Sequence, residues 1–372
     1  MTEAAAARAR TAWPAVALFS AGILSTALID TNPALAAPAI STQPKDIEVT
    51  ARALPSFLIG DRDKNIFGDL EWLGGLELIG STRHFGSLSG VTVGEDGSAF
   101  LAVTDNGFWV KGRVIADGSG APTGLAGVRI APMLDRRGNV LNLKASADAE
   151  SIDQGTHGGK PVYVVAFERE HRIEAYERTA SGFPGRPVRI PAPKAIRNLR
   201  ANKGIESIAL GRPGTPSEGL TVLIAERSRR SGGNIPGWVA QSGGKYRAFQ
   251  IRLLDDFDVT DAAFLPDGDL LVLERRFSYA RGIFMRLRRI PAHTLRTKTI
   301  VDGPVLMTAD FTHQIDNMEG LAVHRAASGD VILTIVSDDN RSILQRNLLL
   351  RFRLRQPGLE TKPQPRPAVS TE

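Results

Sequence analysis

The sequence contains no cysteine. Disulfide frameworks, thiolate nucleophiles and cysteine-bound metals are therefore excluded. Aromatic residues are scarce at 6%, and no run of lysine and arginine is interleaved with them. The formal charge of +6 is spread along the chain, so it reads as that of a soluble basic protein and not as a nucleic-acid footprint. The six histidines, His84, His157, His171, His293, His313 and His324, show no H-E-x-x-H spacing, which argues against a zinc hydrolase. There is no G-x-S-x-G elbow: "GSLSG" at 86–90 has Leu88 where the serine belongs. Phosphate-cradling G-x-x-x-x-G-K-[ST] and G-x-G-x-x-G loops are also missing, which leaves nucleotide binding without support. No long stretch carries a helical period.

The apolar run at 13–29, "WPAVALFSAGILSTALI", follows Arg8 and Arg10 and precedes Ala34-Leu35-Ala36. It is short for a membrane span and lacks a basic stop-transfer flank. This pattern predicts a secretory signal over 1–37, cleaved near Ala36 or Ala37, with a periplasmic or secreted product and no stable membrane insertion. An uncleaved anchor is the alternative. Residues 38–69 form an N-terminal extension. The proline-rich end, 355–372, predicts a tail without fixed structure. Oligomeric state is left open.

The stretch "NKGIESIAL" at 202–210 places Glu206 inside an apolar strand, where an unpaired charge is costly. The same arrangement recurs at "GSLSGVTV", "ADAESIDQ", "FDVTDAAFL" and "DNMEGLAVH". Aligned by letter, Ser89, Glu150, Glu206, Asp261 and Glu319 are spaced by 61, 56, 55 and 58 residues. A near-constant period marks a repeat architecture. Each stretch is followed by turn residues such as "EDGS" or "PDGD", then by a more hydrophobic strand ending in an acid: Asp105, Glu168, Glu226, Glu274 or Asp338. These units predict an all-β propeller over 70–354, with five or six blades of three to four antiparallel strands. "LEWLGGLELIG" at 70–80 is placed to close the ring, and "IEVTARAL" at 47–54 could add to it.

In such a blade, the start of the first strand and the end of the second lie on the same face of the disc. Both acid series therefore converge on one rim around the axis. Crowded carboxylates repel and require cations, supplied either by neighbouring arginines and lysines or by a hard metal ion such as Ca2+. On this reading Glu150, Glu206, Asp261, Glu319, Asp105 and Asp338 are candidate metal ligands, and Glu206 and Glu274 are candidate catalytic carboxylates. Arg227, Arg275, Arg276 and Lys203 are candidate contacts to a small anionic substrate such as a phosphate ester. The glycine-rich, basic stretch 227–245 reads as a long loop on the same face.

These residues resemble the phytase-like β-propeller family, the "esterase-like activity of phytase" proteins. The resemblance rests on "FGSLSGVTVGEDGSAFLAVTDNG" at 85–107, "ADAESID" at 147–153, "NKGIES" at 202–207, "AERSRR" at 225–230, "DVTDAAFLPDGDLLVLERRF" at 258–277 and "DNMEGLAVH" at 316–324. It implies an exported propeller and a calcium-assisted phosphoester or ester hydrolase. Two other readings of the same acidic mouth stand beside it: a metal-dependent lactonase, and a non-catalytic propeller that binds a ligand or protein.

Overall fold

Several strands are apolar at consecutive positions instead of alternating, as in "LLVL" at 270–273. Such a strand must be buried on both faces. The computed structural model, which describes residues 41–179, 182–200, 203–226, 233–241 and 244–355, shows how. Leu270 and Val272 pack into one inter-blade core with Val222, Ile224 and Val239. Leu271 and Leu273, on the opposite face of the strand, pack with Leu333, Ile335 and Leu350 in the next. Five such hydrophobic seams join five sheets.

Each sheet is one blade, and its strands run in order from the axis outward. Blade 1 is Leu88–Val93, Ala99–Thr104, Phe108–Ala116 and Pro122–Pro132, with Lys45–Asp46 on its edge. Blade 2 is Ala149–His157, Lys160–Phe167, Arg172–Glu177 and Val188–Arg189. Blade 3 is Ile205–Leu210, Leu220–Ala225, Ile235–Gln241 and Arg247–Ile251, with Ile300–Val301 added parallel at the edge. Blade 4 is Asp258–Phe264, Leu270–Ser278, Gly282–Ile290 and Val305–Ala309. Blade 5 combines Asn317–Arg325, Val331–Asp338 and Asn347–Leu354 with Leu70–Gly80 and Val49–Ala53 from the other end of the sequence. The inner strands touch in the cyclic order 1-2-3-4-5-1.

The predicted propeller is therefore five-bladed. The 70–80 segment closes it as expected, pairing Leu70 with Leu354 and Leu78 with Asn347. The 49–53 segment widens blade 5 and does not start a sixth blade. One expectation needs correction: the stretch 227–245 is not all loop. Ile235–Gln241 is the third strand of blade 3, and Trp238 is buried against blade 2. Its glycines misled, because Gly237 serves close packing: a Cβ there would lie 2.6 Å from the Phe249 ring. The predicted signal at 1–37 and nearly all of the predicted tail lie outside the described residues. Among the described residues, no helix is long and apolar enough to cross a membrane.

Candidate functional site

Every inner strand carries a β-bulge one or two residues from its start. The extra residue, which has no partner across the ladder, is Ser89, Glu150, Glu206, Thr260 or Glu319. A bulge re-aims a side chain out of the sheet's alternation. Here it turns these residues toward the mouth of the central channel, where carboxylates from blades 2, 3 and 5 meet. Beyond the effect of burial, Glu206 and Glu319 raise the pKa of Glu150, and Glu319 raises that of Glu206, although the three belong to different blades. On the second strand, one residue beyond the partner of the residue before each bulge, stand Asp105, Glu168, Glu226, Arg275 and Asp338, the second series on the same rim.

This register moves two predicted residues off the rim. In blade 4 the bulge slot holds Thr260, and Asp261 is the next residue, equivalent to Gly90, Ser151, Ser207 and Gly320. These positions form the channel floor. Inner strands approach so closely there that a Cβ on Gly90 would meet Ile152 N at 3.0 Å. Asp261 fills the gap and is 1% exposed. It accepts hydrogen bonds from Ser151 Oγ at 2.9 Å and from the Leu321 N–H at 2.8 Å. Ser151 Oγ in turn accepts the Ile208 N–H at 3.0 Å. Asp261 thus ties blades 2, 3, 4 and 5 together below the rim and is not placed as a metal ligand. Burial pushes its pKa well up.

Glu274 is likewise one position short of the rim, paired with Val259. Its side chain is fully buried between Arg286, 2.7 Å from Nε, and Arg288. Those arginines also bind Asp255 and Asp302. Glu274 is the centre of a structural ion network within blade 4, so the expectation that it acts in catalysis is withdrawn. The residue on the rim is its neighbour Arg275.

The rim therefore holds seven carboxylates and one arginine. Basic neighbours answer some of the charge. Arg275 Nη1 lies 3.0 Å from Glu319, which also accepts from Asn317. Lys203 lies 2.6 Å from Glu226, and Lys144 lies 2.8 Å from Asp105. Asp148, in the approach to blade 2, is held by Lys144 and by Arg169 Nε at 2.6 Å. Glu168 accepts the Gly204 N–H. No cation pairs with Glu150 or Glu206 among the described residues, and burial plus neighbouring acids push both well above the usual carboxylate range. Burial, chiefly, raises Asp338 to about 8, with Glu319 adding to the effect.

Two groups of acids are close enough to share an ion. Oxygens of Asp148, Glu150 and Glu168 lie within 4.8 Å of one another, as do those of Glu168, Glu206 and Glu226. Of the predicted metal ligands, Glu150 and Glu206 fall in these groups. Glu319, Asp105 and Asp338 are on the rim but outside them. Asp148 was missed because it precedes the strand Ala149–His157, and the turn into blade 2 brings it beside Glu150. An all-oxygen, all-carboxylate donor set suits a hard divalent cation such as Ca2+ and not a soft one.

The predicted substrate contacts are distributed. Lys203 is at the rim, on Glu226. Arg227 lies outside the described residues. Arg275 and Arg276 line a cavity of about 1330 Å³ beside the rim, formed by the long hairpin of blade 4 and the loops before and within blade 5. The Arg276 guanidinium stacks 4.3 Å from the Phe284 ring centre and donates to the Asp255 carbonyl.

Residues 83–341 match the phytase-like family described as "Esterase-like activity of phytase". No curated protein matches the chain. Among solved structures, a protein of unknown function from Dyadobacter fermentans aligns at 12% identity and a TM-score of 0.37, covering 85% of this chain and 97% of its own. The K499G mutant of NanB sialidase from Streptococcus pneumoniae aligns at 9% identity and a TM-score of 0.36; 85% of this chain is covered, and the alignment spans 57% of the sialidase chain.

Proposed function

This chain belongs to the phytase-like family, and on that footing we propose that it is an exported, calcium-assisted hydrolase of small anionic phosphate esters. The observation that carries the proposal is the pair Glu150 and Glu206. These are carboxylates from adjacent blades, each within a three-acid group and without a cationic partner among the described residues. So much like charge in one concavity is unfavourable unless a ligand relieves it.

Asp148, Glu150, Glu168 and Glu226 would hold the ion. Bound there, calcium supplies charge neutralisation at phosphate oxygens and a more acidic water. Glu206, next to the axis, accepts the proton of the attacking water. Arg275 uses Nη1 on Glu319 and also lines the side cavity. Its other donors face a bound phosphate, for which a guanidinium fork is suited. The mouth is thus acidic on blades 2 and 3 and basic on blade 4, the polarity that a metal-bound phosphate ester needs.

The test is phosphate release from phytate and from octyl phosphate by residues 38–372, with calcium and then with excess chelator. Calcium-dependent release that is lost in Glu206→Gln supports the reading. Folded protein that releases no phosphate in either condition, or a Glu206→Gln variant with full activity, overturns it.

A further inference from the structure

The side cavity has an unusual lip. Six large apolar side chains stand out as exposed: Leu143, Phe277, Tyr279, Phe311, Ile343 and Leu344, all between 63% and 101%. Other exposed large hydrophobes are at 55% or below. Five lie on loops of the channel-mouth face and Phe277 near the end of the second strand of blade 4; all but Leu143 belong to blades 4 and 5. Phe277 and Tyr279 meet edge to face at 5.2 Å, which fixes one aromatic wall. Phe277, Tyr279 and Leu344 line the cavity itself. Single exposed hydrophobes need no explanation, but a contiguous group beside a site is a mark of binding.

The same cavity is lined by Arg275, Arg276 and Arg281. Neither Arg276 nor Arg281 forms an ion pair with a carboxylate among the described residues. Asp256, Asp258 and Asp316 are also in the lining, and Asp316 is occupied by the Arg346 N–H and guanidinium. An apolar wall and two guanidinium groups without a carboxylate ion pair, Arg276 and Arg281, therefore share one concavity beside the acidic rim.

We propose that this cavity is a subsite for the organic group of an amphiphilic phosphate ester. The phosphate sits at Arg275, with Arg276 and Arg281 beside it, and the alkyl or aryl group packs on Phe277, Tyr279 and Leu344. The proposal rests on the phosphoester reading above and names its substrate class: monomeric esters with an apolar substituent, in preference to fully polar polyphosphates.

The deciding measurement is calorimetric binding of ethylphosphonate and octylphosphonate, below the micellar concentration, to the calcium-containing protein. Octylphosphonate binds more tightly by at least roughly tenfold, because partial burial of six further methylenes suffices for that ratio. In Phe277→Ser/Tyr279→Ser the ratio of affinities falls toward one. In Arg276→Gln/Arg281→Gln both phosphonates weaken together. Equal affinities in the wild type, or a preference that survives Phe277→Ser/Tyr279→Ser, overturn the proposal. So does co-sedimentation with phosphatidic-acid vesicles without a chain-length preference in solution, which assigns the lip to a membrane surface. Chain-length preference without phosphate release from any ester leaves the subsite standing and removes the hydrolase reading. Phosphate release without the preference does the reverse.

Discussion

Blades 3 and 4 are neighbours built on the same plan, with the same bulge at the same place, yet their rim residues are opposite in character. Blade 3 presents Glu206 and Glu226. Blade 4 presents Thr260 and Arg275, and keeps its two acids one position away on each strand, as Asp261 and Glu274. A displacement of one residue changes what a carboxylate does. On the bulge of blade 3 it faces the channel mouth and, among the described residues, lacks a cation. One step further it hydrogen-bonds across the channel floor, and on the second strand one step short it is clamped between arginines. Register, not residue type, separates site acids from structural ones.

The largest effect that breaks this comparison is at Glu274. Glu274→Ala leaves Arg286 and Arg288 buried without their shared partner, and costs about 3–5 kcal/mol in urea unfolding. Asp261→Ala follows, with a loss of about 2–3 kcal/mol from the ties to Ser151 and Leu321; Asp261→Asn, which keeps the volume, loses less. The rim acids go the other way. Glu206→Gln in calcium-free protein raises stability by up to about 1 kcal/mol, because it removes like-charge repulsion, and weakens calcium binding in a titration. A destabilised Glu206→Gln protein contradicts the division between blades.

The pH profile sharpens the contrast. Glu150, Glu206, Glu319 and Asp338 have pKa values raised in the fold, Asp338 to about 8. Between the unfolded and folded values the native state binds more protons, so ∂ΔG/∂pH is negative. The contribution of these four acids to the stability of calcium-free protein is fullest below the ordinary carboxylate range and is lost as pH rises, for Asp338 through about 8. Calcium, which binds the ionised carboxylates, flattens this slope in thermal melts at pH 5 and pH 8; an unchanged slope contradicts a rim-bound ion. The smallest effect is the control Lys160→Ala. Its pair with Glu177 is exposed at the ends of the second and third strands of blade 2, and removal changes stability by less than about 0.5 kcal/mol.

Much of this was legible in the sequence. The period near 55–60 residues, the paired acid series and the closing strand follow from spacing and alternation, because repeats and periodicity survive translation into letters. The register in blade 4 did not. A bulge adds a residue without leaving a compositional mark, and letter matching preferred Asp261 to Thr260 because it is acidic. Asp148 was hidden for a different reason: it precedes the strand, and only the turn into blade 2 brings it beside Glu150. The side cavity arises from loops of two blades, whose proximity no local pattern records.

The strand Leu70–Gly80 has a further consequence. Its main partner, Asn347–Leu354, lies more than two hundred residues later in the chain. Sequence-distant pairing of this kind is slow to form, since the loop must close before any contact stabilises it. During synthesis the segment, with Trp72, Leu76 and Leu78 destined for burial, waits as an unsatisfied edge until the last blade emerges. A chain cut short before residue 347 is therefore not a smaller propeller but an open one, with a sticky strand at its beginning.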